Sequence, residues 1–313
     1  MNISKGVLKK IESIDIENDK IKVTILPELG GKFASIYSKE TNFELLFQNK
    51  DEEYRIPELG DDFAAYDASG FDDAFPNIDP ERKVVEGRKI HYPDHGEIWT
   101  KKFDYKICGD ELRLVCVGKV FNYKYEKTIN VNGNDIGIKY MITNKDEISV
   151  PCFWTMHCLV NCMDDMIVEF PKGTDKVVNV QDSAFLGEAG NIHRYPRSEE
   201  GFELNKVLPA SAMDTEKYYC VGKVENGECG IIYPSANTKF GVEFDPDELP
   251  YLGFWVTSGG FRGDYNCALE PSNGYYDSVS CAEKNNAIPV LKPGESMRIG
   301  IRISLTKYNE NGR

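Results

Sequence analysis

The chain has 313 residues, and 37 Lys and Arg against 51 Asp and Glu give it a net charge of −14 at pH 7. Apolar residues make up 41% of the sequence, which is enough to build a sizeable core. The negative charge argues against nucleic acid or an anionic membrane as a partner, because their phosphates require clusters of Lys and Arg. A neutral ligand is not excluded.

The N-terminal residues and the cysteines indicate a reducing compartment. Lys9, Lys10 and Glu12 interrupt the first residues, so we expect no signal peptide. No run approaches the roughly 18 apolar residues of a membrane-spanning helix. The nine cysteines include no Cys-x-x-Cys pair, which favours buried thiols over disulfides or a structural zinc site. We therefore expect a cytoplasmic protein.

Alternation of apolar and polar residues predicts strands along the chain. The clearest alternating segments, in chain order, are residues 20–25, 239–244 and 297–306. Turn sequences that predict hairpins stand between strand-like segments at 108–110, 132–135 and 225–228. We therefore predict an all-β fold, a large antiparallel β-sandwich with few short helices.

The sequence has no internal repeat and no linker, so we expect residues 1–313 to form a single domain. Residues 50–98 are irregular and rich in Asp, Gly and Pro. In a β-sandwich so long a loop more often carries function than not, which directs attention to this segment.

Histidine is scarce, and His157 has the most distinctive surroundings. It lies in the apolar run 152–160, where partial desolvation would bring an imidazole pKa into a useful range. The same run also suits a core histidine whose nitrogens are satisfied by the backbone. The local sequence leaves both interpretations open.

Two further histidines, His91 and His95, lie close to Glu97 in the sequence. Pro93 and Gly96 make a helix improbable there, so the four-residue spacing does not place both rings on one helix face. A metal site built from these three residues on a loop is one alternative.

Three acidic residues stand out from the many that we expect on the surface. Asp72 and Asp73 follow Gly70-Phe71, and Glu270 ends an apolar strand just before a proline. A carboxylate at a strand end can project into a cleft. The strand at 252–256 carries Trp255, whose ring could face the C–H side of a sugar or pack in the core.

Taken together, these segments resemble the aldose 1-epimerase, or galactose mutarotase-like, superfamily, and especially its hexose mutarotase-related branch. The segments that carry the resemblance, in the family order, are Leu26–Lys32, Gly70–Pro76, Pro93–Glu97, Trp154–His157, Leu252–Trp255 and Ala268–Pro271. The resemblance spans about residues 20–306.

The resemblance implies a β-supersandwich with a carbohydrate cleft and an enzyme that interconverts the α and β anomers of a free hexose without cofactor or metal. It implies that Glu270 is the general base and His157 the general acid. His95 would bind the substrate, with Asp72, Asp73 and Trp255 lining the pocket. It also implies a monomer or homodimer with no nucleic-acid or membrane partner.

Several alternatives stay open at this point. The family's Asn-Arg-Ile segment is matched only by Tyr54-Arg55-Ile56, and the neighbours of His157 differ from the family pattern. These departures suit a non-catalytic carbohydrate-binding protein on the same fold. A phosphosugar 1-epimerase would need a cationic cleft. A glycosidase would pair Glu270 with Asp72 or Asp73, with carboxyls about 5–9.5 Å apart.

Overall fold

The computed structural model describes residues 1–309 as an assembly of short strands. Residues 310–313, which the single-domain prediction includes, lie outside the described residues. The strands are β1 (Asn2–Leu8), β2 (Ile11–Glu17), β3 (Ile21–Leu26), β4 (Lys32–Ser38), β5 (Phe43–Glu44), β6 (Phe71–Ala74), β7 (Glu81–Val85), β8 (Arg88–Tyr92), β9 (Asp104–Cys108), β10 (Glu111–Val117), β11 (Tyr123–Asn132), β12 (Asp135–Asn144), β13 (Val150–Pro151), β14 (Thr155–Cys158), β15 (Val160–Asn161), β16 (Ile167–Glu169), β17 (Lys176–Asn179), β18 (Ile192–Arg194), β19 (Asp214–Cys220), β20 (Glu228–Tyr233), β21 (Thr238–Phe244), β22 (Tyr251–Ser258), β23 (Tyr265–Ser272), β24 (Val290–Leu291) and β25 (Ser296–Lys307).

Helical structure within residues 1–309 is short. The α-helix α1 spans Val279–Lys284, and 3₁₀ turns lie at Phe63–Ala65, Ile98–Thr100 and Ala210–Ala212. Ser278 caps α1, because its side chain accepts a hydrogen bond from the Cys281 amide at 3.1 Å. In this part of the chain no helix has the length and apolar character needed to cross a membrane.

Two large sheets contain most of the strands. The first has thirteen strands in the order β1-β2-β3-β4-β6-β14-β23-β22-β19-β17-β18, with β5 beside β4 and β15 beside β23. The second has eight strands in the order β16-β20-β21-β25-β12-β11-β10-β9. Neighbouring strands run antiparallel, which confirms the predicted class of fold.

The core lies between the two sheets. Alternate residues of each strand point inward, so Phe71 and Met156 of the large sheet belong to one buried cluster with Tyr125 and Ile138 of the other. Seven of the nine cysteines are buried and all nine are free thiols, so the buried ones pack as small hydrophobic residues. The opposite face of the large sheet remains available for a site.

The three alternating segments at 20–25, 239–244 and 297–306 are strands, as predicted, and the turn predictions were partly correct. Residues 108–110 and 132–135 do join the hairpins β9–β10 and β11–β12. The hairpin predicted at 225–228 is wrong, because β19 pairs in the large sheet while β20 pairs in the small one. That turn is a crossover between the sheets.

Candidate functional site

A cavity of about 730 Å³ is lined by residues from both halves of the chain. It brings together four of the six residues predicted for the site, His95, His157, Trp255 and Glu270. The segment 50–98 supplies one wall, including Phe63 of the first 3₁₀ turn. The prediction of an irregular loop at 50–98 is wrong in part, because β6, β7 and β8 lie within this segment, but the segment does border the cavity.

Strand register explains why these side chains share one face. Residues directly opposite each other on antiparallel strands project to the same side of a sheet. Lys217 of β19 lies opposite Trp255 of β22, and Gly253 of β22 lies opposite Glu270 of β23. Gly253 and Trp255 are two residues apart on β22, so all four positions project from one face, the face that points away from the core.

A glycine at position 253 makes room for an aromatic ring. A Cβ added there would lie 2.7 Å from Cζ of Tyr219, which is closer than real contacts allow. The Tyr219 hydroxyl donates a hydrogen bond to Oδ1 of Asp277 at 2.7 Å. Gly253 therefore allows Tyr219 to hold Asp277 beside Glu270.

The two histidines meet edge to face, with ring centroids 4.9 Å apart. Phe63 stacks on His95 at 4.2 Å and meets His157 edge-on at 5.1 Å. Nδ1 of His95 lies 2.8 Å from Oδ1 of Asp94. Because a carboxylate only accepts, we assign a proton to Nδ1.

Asp94 is fixed from two directions. Its Oδ2 accepts a hydrogen bond from the Phe63 amide at 2.8 Å, in addition to the contact with His95. Burial acts to raise the pKa of Asp94, but the hydrogen bonds and the charge of His95 outweigh it, and the pKa lies below its ordinary value. Asp94 therefore stays ionised and orients His95.

His157 is both buried and part of the cavity wall, with 7% of its surface exposed. Burial first, then the charges of His95, Lys217 and Lys32, hold its pKa well below the ordinary histidine value. Its Nδ1 has no hydrogen-bond partner among residues 1–309, so the ring is not the satisfied core histidine that the sequence also allowed.

Glu270 is almost completely buried, with 1% of its surface exposed. Its Oε2 lies 3.3 Å from the ammonium nitrogen of Lys217, which lies 2.9 Å from Oδ1 of Asp277. Burial raises the pKa of Glu270, the charge of Lys217 acts in the opposite sense, and Asp277 adds to the rise. The result is a carboxylate of increased basicity.

Asp72 and Asp73, predicted to line the pocket, are not among its lining residues. Oδ2 of Asp72 lies 3.0 Å from Nζ of Lys32, and burial raises the pKa of Asp72 to about 6 despite that partner. Asp73 points to the other face, where Lys127 lies at 3.0 Å and the Tyr140 hydroxyl at 2.8 Å. Consecutive strand residues face opposite sides, so the pair cannot serve one pocket together.

The structure also separates the residues of the metal-site alternative. His91 is exposed on β8. Glu97 is fully buried and accepts hydrogen bonds from the Lys119 and Val120 amides, with Lys101 at 2.8 Å. Within residues 1–309, the side chains close enough together to hold a metal ion are instead those of His193, Glu199 and Glu200. Both glutamates are exposed.

Lys217 and Asp277 are the main cavity residues that the sequence did not reveal. Lys217 lies between Thr215 and Tyr219 on one face of β19 and, from sequence, resembles an ordinary surface position. Asp277 follows Tyr275-Tyr276 in a loop, without a motif around it. Only the pairing of β19 with β22 places Lys217 across from Trp255 and hence beside Glu270.

A sequence-family model described as a domain of unknown function, DUF4432, matches residues 97–305, which is more than half of the chain. The chain belongs to this family. A second model, DUF5107, also described as a domain of unknown function, matches residues 2–79. The DUF4432 segment contains His157, Lys217 and Glu270, whereas His95 lies between the two matches. None of the curated protein sequences matches the chain.

Solved structures with similar folds cover almost the whole chain. The Slr1438 protein from Synechocystis sp. PCC 6803 has a TM-score of 0.73 and 17% identity, covering 98% of this chain and 99% of its own. The galactose mutarotase related enzyme from Lactobacillus acidophilus has a TM-score of 0.70 and 16% identity, covering 95% and 98%. A galactose mutarotase-like protein from Lactobacillus casei ATCC 334 has a TM-score of 0.69 and 17% identity, covering 94% and 100%.

These likenesses confirm the resemblance at the level of fold. The protein has the galactose mutarotase-like β-sandwich, as predicted. At such identities the comparison shows the fold alone, and the chemistry depends on the residues of the cavity.

Proposed function

We propose that the protein is an aldose 1-epimerase-like isomerase that interconverts the α and β anomers of a free hexose. The observation that carries the proposal is the convergence of Glu270, His157 and His95 on one cavity. They come from β23, β14 and the turn after β8. The similar folds of mutarotase-related proteins support the proposal.

Anomer exchange requires opening the sugar ring and closing it on the other face of the carbonyl. In this proposal Glu270 accepts the proton of the C1 hydroxyl while His157 donates a proton to the ring oxygen. The raised pKa of Glu270 makes its carboxylate a stronger base, and the lowered pKa of His157 makes its imidazolium a stronger acid. In the reactive state Glu270 is ionised and the one proton of the pair is on His157.

An aromatic wall suits a pyranose. Trp255 and Phe261 meet edge to face with centroids 5.8 Å apart and line the cavity. Aromatic faces can pack against the C–H face of a sugar, while Gln181 and His95 offer polar groups to its hydroxyls. We expect Trp255 and His95 to bind substrate rather than to transfer protons.

The charge of the cavity favours a neutral sugar over a phosphorylated one. Its lining includes five carboxylate side chains, those of Asp79, Asp94, Asp182, Glu270 and Asp277. Among the described lining residues, Lys217 is the one Lys or Arg. Its ammonium group is already within 3.3 Å of two of those carboxylates. A phosphate group would add charge of the same sign as this lining.

Polarimetry of freshly dissolved α-D-glucose and α-D-galactose tests the proposal. We expect Glu270→Gln and His157→Asn each to lower the catalysed rate by about 10²–10⁴-fold, because each removes one proton-transfer group. His91→Asn, at an exposed histidine outside this cavity, is the matched control and should keep the wild-type rate.

Wild-type rates in both active-site variants would overturn the assignment. A wild-type protein that leaves mutarotation unaccelerated, yet binds these sugars saturably in calorimetry, would instead support the carbohydrate-binding alternative. The same assay on glucose 6-phosphate addresses the phosphosugar alternative, for which we expect weaker catalysis than for the free sugar.

A further inference from the structure

Lys217 occupies an unusual position for a lysine, because it is nearly enclosed at the cavity wall. Its side chain is 12% exposed, and it projects from β19 between two carboxylates. Nζ lies 3.3 Å from Oε2 of Glu270 and 2.9 Å from Oδ1 of Asp277. The family resemblance implies no role for this position.

Asp277 is held in place independently of Lys217. Its Oδ1 accepts the hydrogen bond from Tyr219, and its carbonyl oxygen accepts from the amides of Ile78 at 3.0 Å and Asp79 at 2.9 Å. Asp277 can therefore serve as a fixed anchor that positions the ammonium group. The second contact of Lys217 then falls on Glu270.

The hydrogen bonds of the two carboxylates are unequal. Oδ1 of Asp277 accepts a hydrogen bond from the Tyr219 hydroxyl. Oε2 of Glu270 makes no hydrogen bond with the described residues, although it lies within ion-pair distance of Lys217. If the ammonium were removed, two desolvated carboxylates would compete, and Glu270 would take up the proton.

We infer that Lys217 is a positioning residue that keeps Glu270 in its ionised, proton-accepting form. The catalytic meaning of this inference rests on the proposed function, whereas the ionisation of Glu270 does not. The titratable groups that share the cavity with Glu270 and bear on its charge are Lys217 of β19, Asp277 after β23, His95 after β8, Asp79 after β6 and His157 of β14. Tyr219 of β19 lies outside the cavity lining and donates a hydrogen bond to Asp277.

Lys217 is suited to this role by remaining charged. The neighbouring carboxylates of Asp277 and Glu270 outweigh its burial and raise its pKa above the ordinary lysine value. It therefore acts as a fixed positive charge and not as a nucleophile, for which a neutral amine would be needed.

A direct titration of Glu270 tests the inference without depending on catalysis. The side-chain carboxyl carbons of glutamate are labelled with ¹³C, and Glu270→Gln identifies the signal of Glu270. In Lys217→Met we expect the titration midpoint of Glu270 to rise by about one to three pH units, because an opposite charge within hydrogen-bond distance has been removed.

Three further variants make the result specific. Lys217→Arg should keep the midpoint near that of the wild type, since the positive charge is retained. Lys217→Met combined with Asp277→Asn should bring it back toward the wild type, because one negative charge leaves with the positive one. Lys239→Met removes a half-exposed lysine of the other sheet and should leave it unchanged. An unchanged midpoint in Lys217→Met would overturn the inference.

Kinetics separate this inference from the proposed function. If the wild type catalyses anomer exchange, Lys217→Met should lower kcat/KM by about tenfold or more near neutral pH, and the loss should shrink as pH rises and Glu270 ionises. A loss that is equal at every pH would indicate a structural role and overturn the inference. An inactive wild type would overturn the proposed function, while the titration would still decide the role of Lys217.

Discussion

Glu216, the neighbour of Lys217 on β19, offers a prediction about stability. Its side chain points to the opposite face of the strand, is only 2% exposed, and neither carboxylate oxygen has a hydrogen-bond partner among residues 1–309. Burial, with a smaller contribution from the charge of Asp214, raises the pKa of Glu216 to about 7. The ionised form is therefore destabilising in the folded protein.

The sign and size of the effect follow from linkage between protonation and folding. Between the ordinary pKa of 4.5 and about 7 the folded state holds a proton that the unfolded state releases. Stability therefore falls as pH rises through this window, by at most about 3 kcal/mol at about 1.4 kcal/mol per pH unit. The penalty is complete above pH 7 and absent below pH 4.5.

Glu216→Gln removes the ionisable group and hence the pH dependence that it causes. Burying an amide adds a constant cost, so the informative quantity is the stability of the variant relative to wild type at pH 8 minus that at pH 5. We expect this difference to favour the variant by about 2–3 kcal/mol in urea unfolding, or about 5 °C in melting temperature. Glu225→Gln, at an exposed glutamate, is the control. A relative stability that is the same at both pH values would refute the reasoning.

Two other substitutions probe the supports of the site. Asp73→Asn leaves the fully buried ammonium of Lys127 without its carboxylate, and we expect the free energy of unfolding to fall by about 3–5 kcal/mol in urea denaturation. Gly253→Ala places a methyl group 2.7 Å from the Tyr219 ring, and we expect the displaced Tyr219 and Asp277 to lower the mutarotation rate by up to about 10²-fold in polarimetry.

Matched changes at tolerant positions separate these effects from general damage. Asp135→Asn breaks an exposed ion pair with Arg302 and should cost less than about 1 kcal/mol. Gly300→Ala adds a Cβ whose nearest neighbour is 3.8 Å away, and it should leave the mutarotation rate unchanged. If Asp73→Asn costs no more than Asp135→Asn, or Gly253→Ala is as active as Gly300→Ala, the corresponding argument fails.

The strands were predictable because their alternation is local. The pattern at 297–306 became β25 (Ser296–Lys307), since one face of that strand is buried and the other is not. The partners of a strand are not local information. The turn at 225–228 has the composition of a hairpin, yet the strands on either side of it belong to different sheets.

The limits of motif matching appear most clearly at Asp72 and Asp73. Both lie in a segment that resembles the family, but a strand sends them to opposite faces, one toward Lys32 and the other toward Lys127. Lys217 was missed for the converse reason. A lysine in a strand is typical of a solvent-facing position. Only the pairing of Lys217 with Trp255 places it at the cavity.

His157 explains why local sequence could not decide between a core residue and a functional one. The apolar run around it suited both interpretations, and the structure combines them, because the ring is buried and also lines the cavity. The burial that makes the position resemble core is the main cause of its lowered pKa. A lowered pKa makes the imidazolium a stronger acid toward a ring oxygen and also makes the protonated ring the minor form, so desolvation raises acid strength at the expense of population.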